Sequence, residues 1–504
     1  MTELVIGVDI GTGSTKGVVA TPDGQVVHTA SRPHGLELPR PGWAEVDADE
    51  VWWGDVVAVT RELVDAVSAA GDVRAVKGFC VSGVGPCFLP TDDEFRPTRK
   101  AVLYGIDSRA GDEITELEGR FGADRILEVG GTPLSSQAVG PKALWVRRHE
   151  PQTWERTMRW FNSNSFVVAR LTGEYVLDHH TASQCDPLYD MAAHEWYRPW
   201  CDEVVGDLAM PRLAWPHEVV GHVHAAGAEA TGLPVGTPVS VGTVDAWAEA
   251  FSAGVRRPGE LMLMYGSTMF FVQQVTAPQP HPMLWSTVGV LPGTSSMAAG
   301  MSTSGSLTGW VQRLTGDAPF EQLVEEAAAV APGSDGLLVL PYFAGERTPI
   351  FDPRARGLVL GLTLTHGRAE LFRAVYEGIA YGIRQILEFL DGPDSPVDRV
   401  VAVGGGTQGR LWTQIVSDVT GREQTVPAQA IGASYGDALL AAIGTGLVDP
   451  STDWARAGRT VQPDPARRDL YDGLYEQYVG LYPATRDAMH HLAALQEDDA
   501  AGRG

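Results

Sequence analysis

The sequence predicts an α/β protein of two domains, and three observations predict it. At 504 residues, the chain is long enough for two to four domains. Strand and helix signals alternate along it, which implies layers of sheet and helix rather than a sandwich or a bundle. One local design also occurs twice, once in each half: a β-rich run, a turn of glycine with serine or threonine, and a second β-rich run. The first copy runs Val5-Ile6-Gly7-Val8-Asp9-Ile10, then Gly11-Thr12-Gly13-Ser14-Thr15-Lys16, then Gly17-Val18-Val19-Ala20. The second runs Leu261-Met262-Leu263-Met264-Tyr265, then Gly266-Ser267-Thr268, then Met269-Phe270-Phe271-Val272.

Between and after these hairpins the elements follow in order. Residues 50–70, which begin Glu50-Val51-Trp52-Trp53, read as a helix, and Val76 to Val81 as a strand. Residues 151–230 are richer in Trp, His, Asp and Pro and less periodic, as expected of loops or an insertion that shapes a ligand pocket. A strand at Pro238 to Gly242 leads through Thr243-Val244-Asp245 into a small-residue helix, Ala246 to Ala253. The domain boundary is expected just after it, giving domains of 1–253 and 254–495 with a hinge near Gly254 to Gly259. In the second half, Gly300-Met301-Ser302-Thr303-Ser304-Gly305 leads into a helix carrying Trp310. A long helix from Arg368 to Leu390 follows, its Leu371, Val375, Ile379 and Ile383 recurring at helical spacing as a core stripe. Then come a strand at Arg399 to Val403, the turn Gly404-Gly405-Gly406-Thr407-Gln408 and a helix from Leu411 to Val419. Residues 496–504 read as a frayed polar tail.

The repeated turns carry the first functional signal. Glycine permits close approach and positive φ, and successive backbone N–H groups in a tight turn form an anion-binding concavity. The hydroxyls of Thr12, Ser14, Thr15, Ser267 and Thr268 add donors. Two such hairpins facing each other across a cleft would hold one polyphosphate from both sides. The common Gly-x-x-x-x-Gly-Lys-[Ser/Thr] loop does not occur there. A dinucleotide fingerprint fails too, since Lys16 stands where the third glycine would be and a strand follows. The strand, triple-glycine turn and helix at 399–419 form a further nucleotide signal, because a helix N-terminus favours anions.

Composition excludes several classes. A formal net charge of −25 with no Lys/Arg block argues against a nucleic-acid partner. No apolar run approaches 18 residues and no signal segment opens the chain, so no membrane partner is expected and a cytoplasmic location is. Four widely spaced cysteines, Cys80, Cys87, Cys185 and Cys201, suit neither a disulfide framework nor a zinc site.

Asp245, following a strand and flanked by small or apolar residues, is the candidate general base for nucleotide-dependent phosphoryl transfer. Asp9, inside the first hairpin, suits a Mg²⁺ ion held through water. Thr12, Gly13, Ser14, Thr15 and Lys16, with Gly266, Ser267 and Thr268, are the candidate phosphate cradle.

These residues resemble the FGGY carbohydrate kinases of the actin/hexokinase/Hsp70 superfamily over nearly the whole chain. The resemblance rests on the 9–16 turn, Gly242-Thr243-Val244-Asp245-Ala246, Tyr265-Gly266-Ser267-Thr268, Gly404-Gly405-Gly406 and Gly357-Leu358-Val359-Leu360-Gly361-Leu362, followed by Glu370-Leu371 and Ala374-Val375-Tyr376-Glu377. It implies an α/β, two-domain actin/hexokinase/Hsp70-like (ribonuclease H-like) fold with an interdomain cleft, use of ATP and Mg²⁺, and a sugar acceptor. It further implies that Gly305 and Gly404, Gly405, Gly406 and Gln408 surround the adenosine end. Trp43, Gly85, Tyr104, Asp107, Arg109 and Asp245 would form the sugar pocket, and a homodimer would be the assembly. Pro41-Gly42-Trp43-Ala44-Glu45-Val46-Asp47, Trp52-Trp53 and Arg170-Leu171-Thr172-Gly173-Glu174 look most like the xylulokinase branch, which implies a ketose acceptor, a pentulose such as D-xylulose first. Such xylulokinases read Met-His-Gly where this chain has Val84-Gly85-Pro86-Cys87, and a polar residue, usually Asn, at Ala246. Another polyol or ketose (a tetritol, a hexulose or a deoxy sugar) is the neighbouring expectation, and a non-catalytic nucleotide-gated regulator the expectation from another class.

Overall fold

The same strand order is built twice in this chain, once around each hairpin. The computed structural model describes residues 2–429 and 431–501. In it the chain divides into two compact units. The first comprises Met1–Arg256, Thr276–Ser296 and Ile431–Ala455; the second comprises Arg257–Val275, Met297–Ala430 and Arg456–Gly504. The first crossing lies three residues beyond Ala253, but two later segments rejoin the first unit, which local sequence signals did not suggest.

The first unit is built on a mixed sheet of order Val219–His222, Pro238–Ser240, Val76–Gly83, Leu4–Ile10, Ser14–Ala20, Val26–Pro33. Leu4–Ile10 pairs antiparallel with Ser14–Ala20 and parallel with Val76–Gly83, which pairs parallel with Pro238–Ser240. In the second unit Glu260–Tyr265 pairs antiparallel with Met269–Val275 and parallel with Arg399–Val403, which pairs parallel with Gln424–Val426. Each sheet closes with an antiparallel strand, Val219–His222 or Arg459–Val461. Every central strand is a nearly continuous apolar run, as sheets covered on both faces require.

Helices cover these sheets where glycine permits. Ala433–Gly444 lies against Leu4–Ile10 and against Asp245–Ser252. A Cβ on Gly7 would stand 2.0 Å from Ser434 O, and one on Gly436 would stand 2.0 Å from Ala248 O. The segment Ile431–Ala455 therefore belongs to the first unit by close packing that no periodicity advertises.

Several elements differ in detail from the sequence expectation. The helix expected at 50–70 begins as a wide turn, Ala48–Trp53, capped by Asp47, and is regular over Gly54–Ala70. The first turn is shorter than expected: the strand resumes at Ser14, so Thr15 and Lys16 are strand residues opposite Ile10 and Asp9. Residues 151–230 are not mainly loop. Trp160, Trp196, Trp200, Tyr189 and Cys201 join Trp145 in a second aromatic core, and Ser163–Thr172 is a helix capped by Asn162. The expected tail is helical through Ala501, the end of Arg468–Ala501; residues 502–504 lie outside the described residues. All four cysteines are free and buried. Among the described residues no helix is long and apolar enough to cross a membrane.

Candidate active site

Four carboxylates converge in the first unit. Asp9 is the last residue but one of the central strand Leu4–Ile10, Asp245 opens the helix Asp245–Ser252, Glu249 lies one turn further on, and Asp437 comes from Ala433–Gly444. Helical spacing of four residues puts Asp245 and Glu249 on one face. Asp437 Oδ2 accepts from Ser82 Oγ at 2.6 Å. Asp245 Oδ1 accepts from the Ala246 N–H at 2.7 Å. Asp9 is 9% exposed and its Oδ1 has no hydrogen-bond partner among the described residues.

Crowding and burial set the proton affinities of this group. Burial first, then Asp245, Asp437 and Glu249, hold Asp9 well above the usual carboxylate range, opposed by Lys16. Burial pushes Asp245 up to about 6, against the Ala246 N–H. Burial and then Asp245 push Glu249 to about 7, again opposed by Lys16. Asp437 is held high by burial, with the Ser82 hydrogen bonds working against it and Asp245 adding to it. A carboxylate near 6 remains ionised at neutral pH while accepting a proton more readily than an ordinary one.

The Gly11 to Ser14 turn borders this group. Gly11 N–H donates to Ser14 O at 3.0 Å and His34 N–H to Gly13 O at 3.0 Å, which leaves Thr12 and Gly13 exposed. Thr12 Oγ1 is 2.8 Å from Tyr104 Oη. Thr15, expected in the phosphate cradle, is instead wholly buried in the sheet, because strand alternation turns it inward between Ser14 and exposed Lys16.

The sugar candidates separate into two groups. Asp107 Oδ2 accepts from the Ala44 N–H at 2.7 Å and pairs with Arg109 Nη2 at 2.7 Å. Arg109 also reaches Glu45 at 2.7 Å, and its side chain is wholly buried, 4.0 Å beneath the Trp43 ring. Asp107 and Arg109 thus fix Trp43 from below, while Trp43 and Tyr104 keep partly open faces. Gly85 is buried, and a Cβ there would stand 2.9 Å from Asn162.

Sequence reasoning did not find Gln137, which ties these loops together. Its Oε1 accepts from Gly105 N–H at 3.0 Å and its Nε2 donates to Gly85 O at 3.3 Å. Lys142, buried and lowered by burial to about 8, donates to Ser136 O and Ala138 O and so holds the segment that carries Gln137.

In the second unit a cavity of about 670 Å³ is lined by Gly266, Ser267, Gly305, Gly405, Gly406 and Gln408, six of the expected nucleotide residues. The turns meet through backbone bonds: Gly305 N–H donates to Gly266 O at 3.0 Å, and Ser304 and Ser306 N–H to Ser267 O. A Cβ on Gly305 would stand 2.6 Å from Gly266 O. Gly404, at φ +90, passes Tyr265 O where a Cβ would approach to 2.6 Å. Thr268 closes its own turn, its carbonyl accepting from Gly266 N–H. The apolar wall is Tyr376 stacked on Trp412 at 5.1 Å, with Phe320. Tyr376 lies in the long helix Arg368–Leu390, within the stretch Ala374-Val375-Tyr376-Glu377 that carries the family resemblance, and no binding role was expected of it. Among the described residues no three His, Cys, Asp or Glu side chains are placed to hold a metal ion.

The models for the N-terminal and C-terminal domains of the FGGY family of carbohydrate kinases match residues 4–252 and 261–445. A xylulose kinase of Staphylococcus epidermidis is 28% identical over 98% of this chain and 99% of its own length. A xylulose kinase of Escherichia coli K12 is 28% identical over 87% of this chain and 90% of its own. The crystal structure of xylulose kinase from Rhodospirillum rubrum is 33% identical, with a TM-score of 0.87, covering 97% of this chain and 100% of that one.

Proposed function

This chain belongs to the FGGY family of carbohydrate kinases and is an ATP-dependent sugar kinase; on that premise we propose that it phosphorylates a hydroxyl of a pentulose, D-xylulose first. The observation that carries the chemical reading is Asp245, at the head of a helix and pushed up to about 6. In this reading Asp245 takes the proton of the sugar hydroxyl as its oxygen attacks the γ-phosphorus. The bond to the β–γ bridging oxygen breaks, and ADP leaves with that electron pair. The protein's contribution is positioning and charge stabilisation rather than covalent chemistry.

The chain's own groups divide the work. Backbone N–H groups of the Gly11 to Ser14 turn orient the phosphates, and Lys16 offsets negative charge beside Asp9 and Glu249. The aromatic wall of Tyr376 and Trp412 supports a base in the second unit. A Mg²⁺ ion fits Asp9: its buried oxygen has no partner among the described residues, and its neighbours are carboxylates. Magnesium takes only one or two carboxylates and keeps its waters. When bound it would neutralise phosphate charge.

A second reading, transfer to another ketose or polyol, is favoured by one observation. The stretch after the strand Val76–Gly83 offers the pocket no side-chain donor: Gly85 and Pro86 have none, Cys87 is wholly buried with its thiol toward Val84 O, and Ala246 has none. ADP release with Mg²⁺ across pentuloses, hexuloses, tetritols and pentitols decides between them. Preference for D-xylulose supports the first reading and preference for another sugar the second. Nucleotide turnover independent of sugar and unaffected by Asp245→Asn would sink both.

A further inference from the structure

The wall that carries Gln137 holds a feature that phosphoryl transfer does not use. A small cavity of about 10 Å³ is lined by Thr132, Ser135, Gln137, Gln184, Asp186 and Thr287. That volume accommodates the centre of one water-sized group. Asp186 is 4% exposed, and its Oδ1 has no hydrogen-bond partner among the described residues. An unpaired buried carboxylate oxygen is uncommon in a folded protein and calls for an explanation.

Two connections join this cavity to the sugar side of the first unit. Gln137 bridges the Gly85 and Gly105 backbones, next to Tyr104. On the other side Gln184 Nε2 is 2.8 Å from His180 Nε2, and the His180 ring lies 4.2 Å from Trp247, two residues after Asp245. Trp247 Nε1 in turn donates to Ser296 Oγ at 2.8 Å, which is 2.8 Å from Thr287 Oγ1.

Resting on the sugar-kinase reading above, we propose that this cavity is a subsite for one hydroxyl of the acceptor, at the end remote from the hydroxyl being phosphorylated, with Asp186 accepting its hydrogen bond. A hydroxyl matches the lining on three counts. It is the size of the space, it donates to a carboxylate, and its lone pairs accept from the second N–H of Gln137 or Gln184. A carboxylate or phosphate group, with two or more oxygens, exceeds the room. The subsite also supplies from Gln137, Gln184 and Asp186 the polar contacts that Val84 to Cys87 do not.

A site built to hydrogen-bond a substrate hydroxyl discriminates strongly against the analogue that lacks it. The test compares kcat/KM for D-xylulose and 1-deoxy-D-xylulose in the unaltered protein, in Asp186→Leu, which removes the acceptor oxygens, and in Gln184→Met, with melting curves to verify folding. The expected result is a preference for D-xylulose of about tenfold or more in the unaltered protein, lost in either folded variant. A ratio identical in all three proteins, at whatever absolute rate, overturns the subsite while leaving the kinase reading intact. Absence of turnover with either sugar in the unaltered protein overturns the pentulose reading, and the subsite falls with it.

Discussion

Asp245→Asn is expected to make the protein inactive and more stable at once. Asp245 rises from an ordinary 3.8 to about 6 on folding, chiefly through burial. At about 1.4 kcal/mol per pH unit, a rise of about two pH units corresponds to roughly 3 kcal/mol of native-state cost once the group is ionised. The sign follows from the direction. Because the folded value is the higher one, this stability is fully present below pH 3.8 and is lost as pH rises through about 6. Asparagine keeps the oxygen that accepts from the Ala246 N–H at 2.7 Å but cannot ionise. The variant and the unaltered protein should therefore unfold alike near pH 4 and diverge by up to roughly 3 kcal/mol at pH 8, with asparagine the more stable. Urea unfolding at both pH values measures this, and sugar-dependent ADP release should fall by about a hundredfold to ten-thousandfold. Equal or lower stability of the variant at pH 8 would refute the claim that Asp245 is held against its ionisation.

Other expectations follow from neighbouring groups. In the unaltered enzyme the sugar-dependent rate should decline about tenfold per pH unit below pH 6 as Asp245 takes a proton; a flat profile from pH 5 to 8 would dissociate Asp245 from the base role. Lys16→Met removes the cation that opposes the rise of Asp9 and Glu249. Their folded values should climb further, so the variant should lose more stability at pH 8 than at pH 5, as unfolding at the two pH values will reveal. Gly305→Ala puts a Cβ 2.6 Å from Gly266 O and should raise the KM for ATP about tenfold or more with the KM for sugar unchanged. Arg109→Met strands the buried Asp107 and Glu45 and should cost about 3 to 5 kcal/mol. A loss below about 1 kcal/mol would mean the pair is more hydrated than its burial implies.

Much of the fold was legible because its signals are local. Both hairpins, the long helix Arg368–Leu390 and the triple-glycine turn are each written in consecutive residues, through apolar runs, helical spacing and glycine. The limits of the first turn were less legible. Thr15 and Lys16 look like turn residues, but Val26–Pro33 pairs with them from the far side, Arg32 opposite Thr15 and Ser31 opposite Lys16. Asp107 and Arg109 were read as facing a ligand. Their shared burial with Glu45 depends on a loop more than sixty residues away, so local sequence could not show it. Glu249 was missed, although its place four residues after Asp245 on one helix is a local signal that could have found it. Asp437 carried no such signal: its arrival beside Ser82 depends on Gly7 and Gly436 letting a distant helix close onto the first strand. Gln137 and Asp186 were equally silent, since what marks them is a shared cavity and not a motif.

The late return of Ile431–Ala455 to the first unit has a consequence for how the molecule is made. A ribosome delivers the first strand, Leu4–Ile10, more than four hundred residues before the helix that covers it, Ala433–Gly444. Until then the glycine notch at Gly7 has nothing seated in it, and the sheet presents an apolar face to water. The first unit is therefore a late finisher. A fragment ending at Arg256 would be an incomplete layer and not a freestanding domain, so dividing this protein between two genes would require the cut to respect the packing and not the order of the letters.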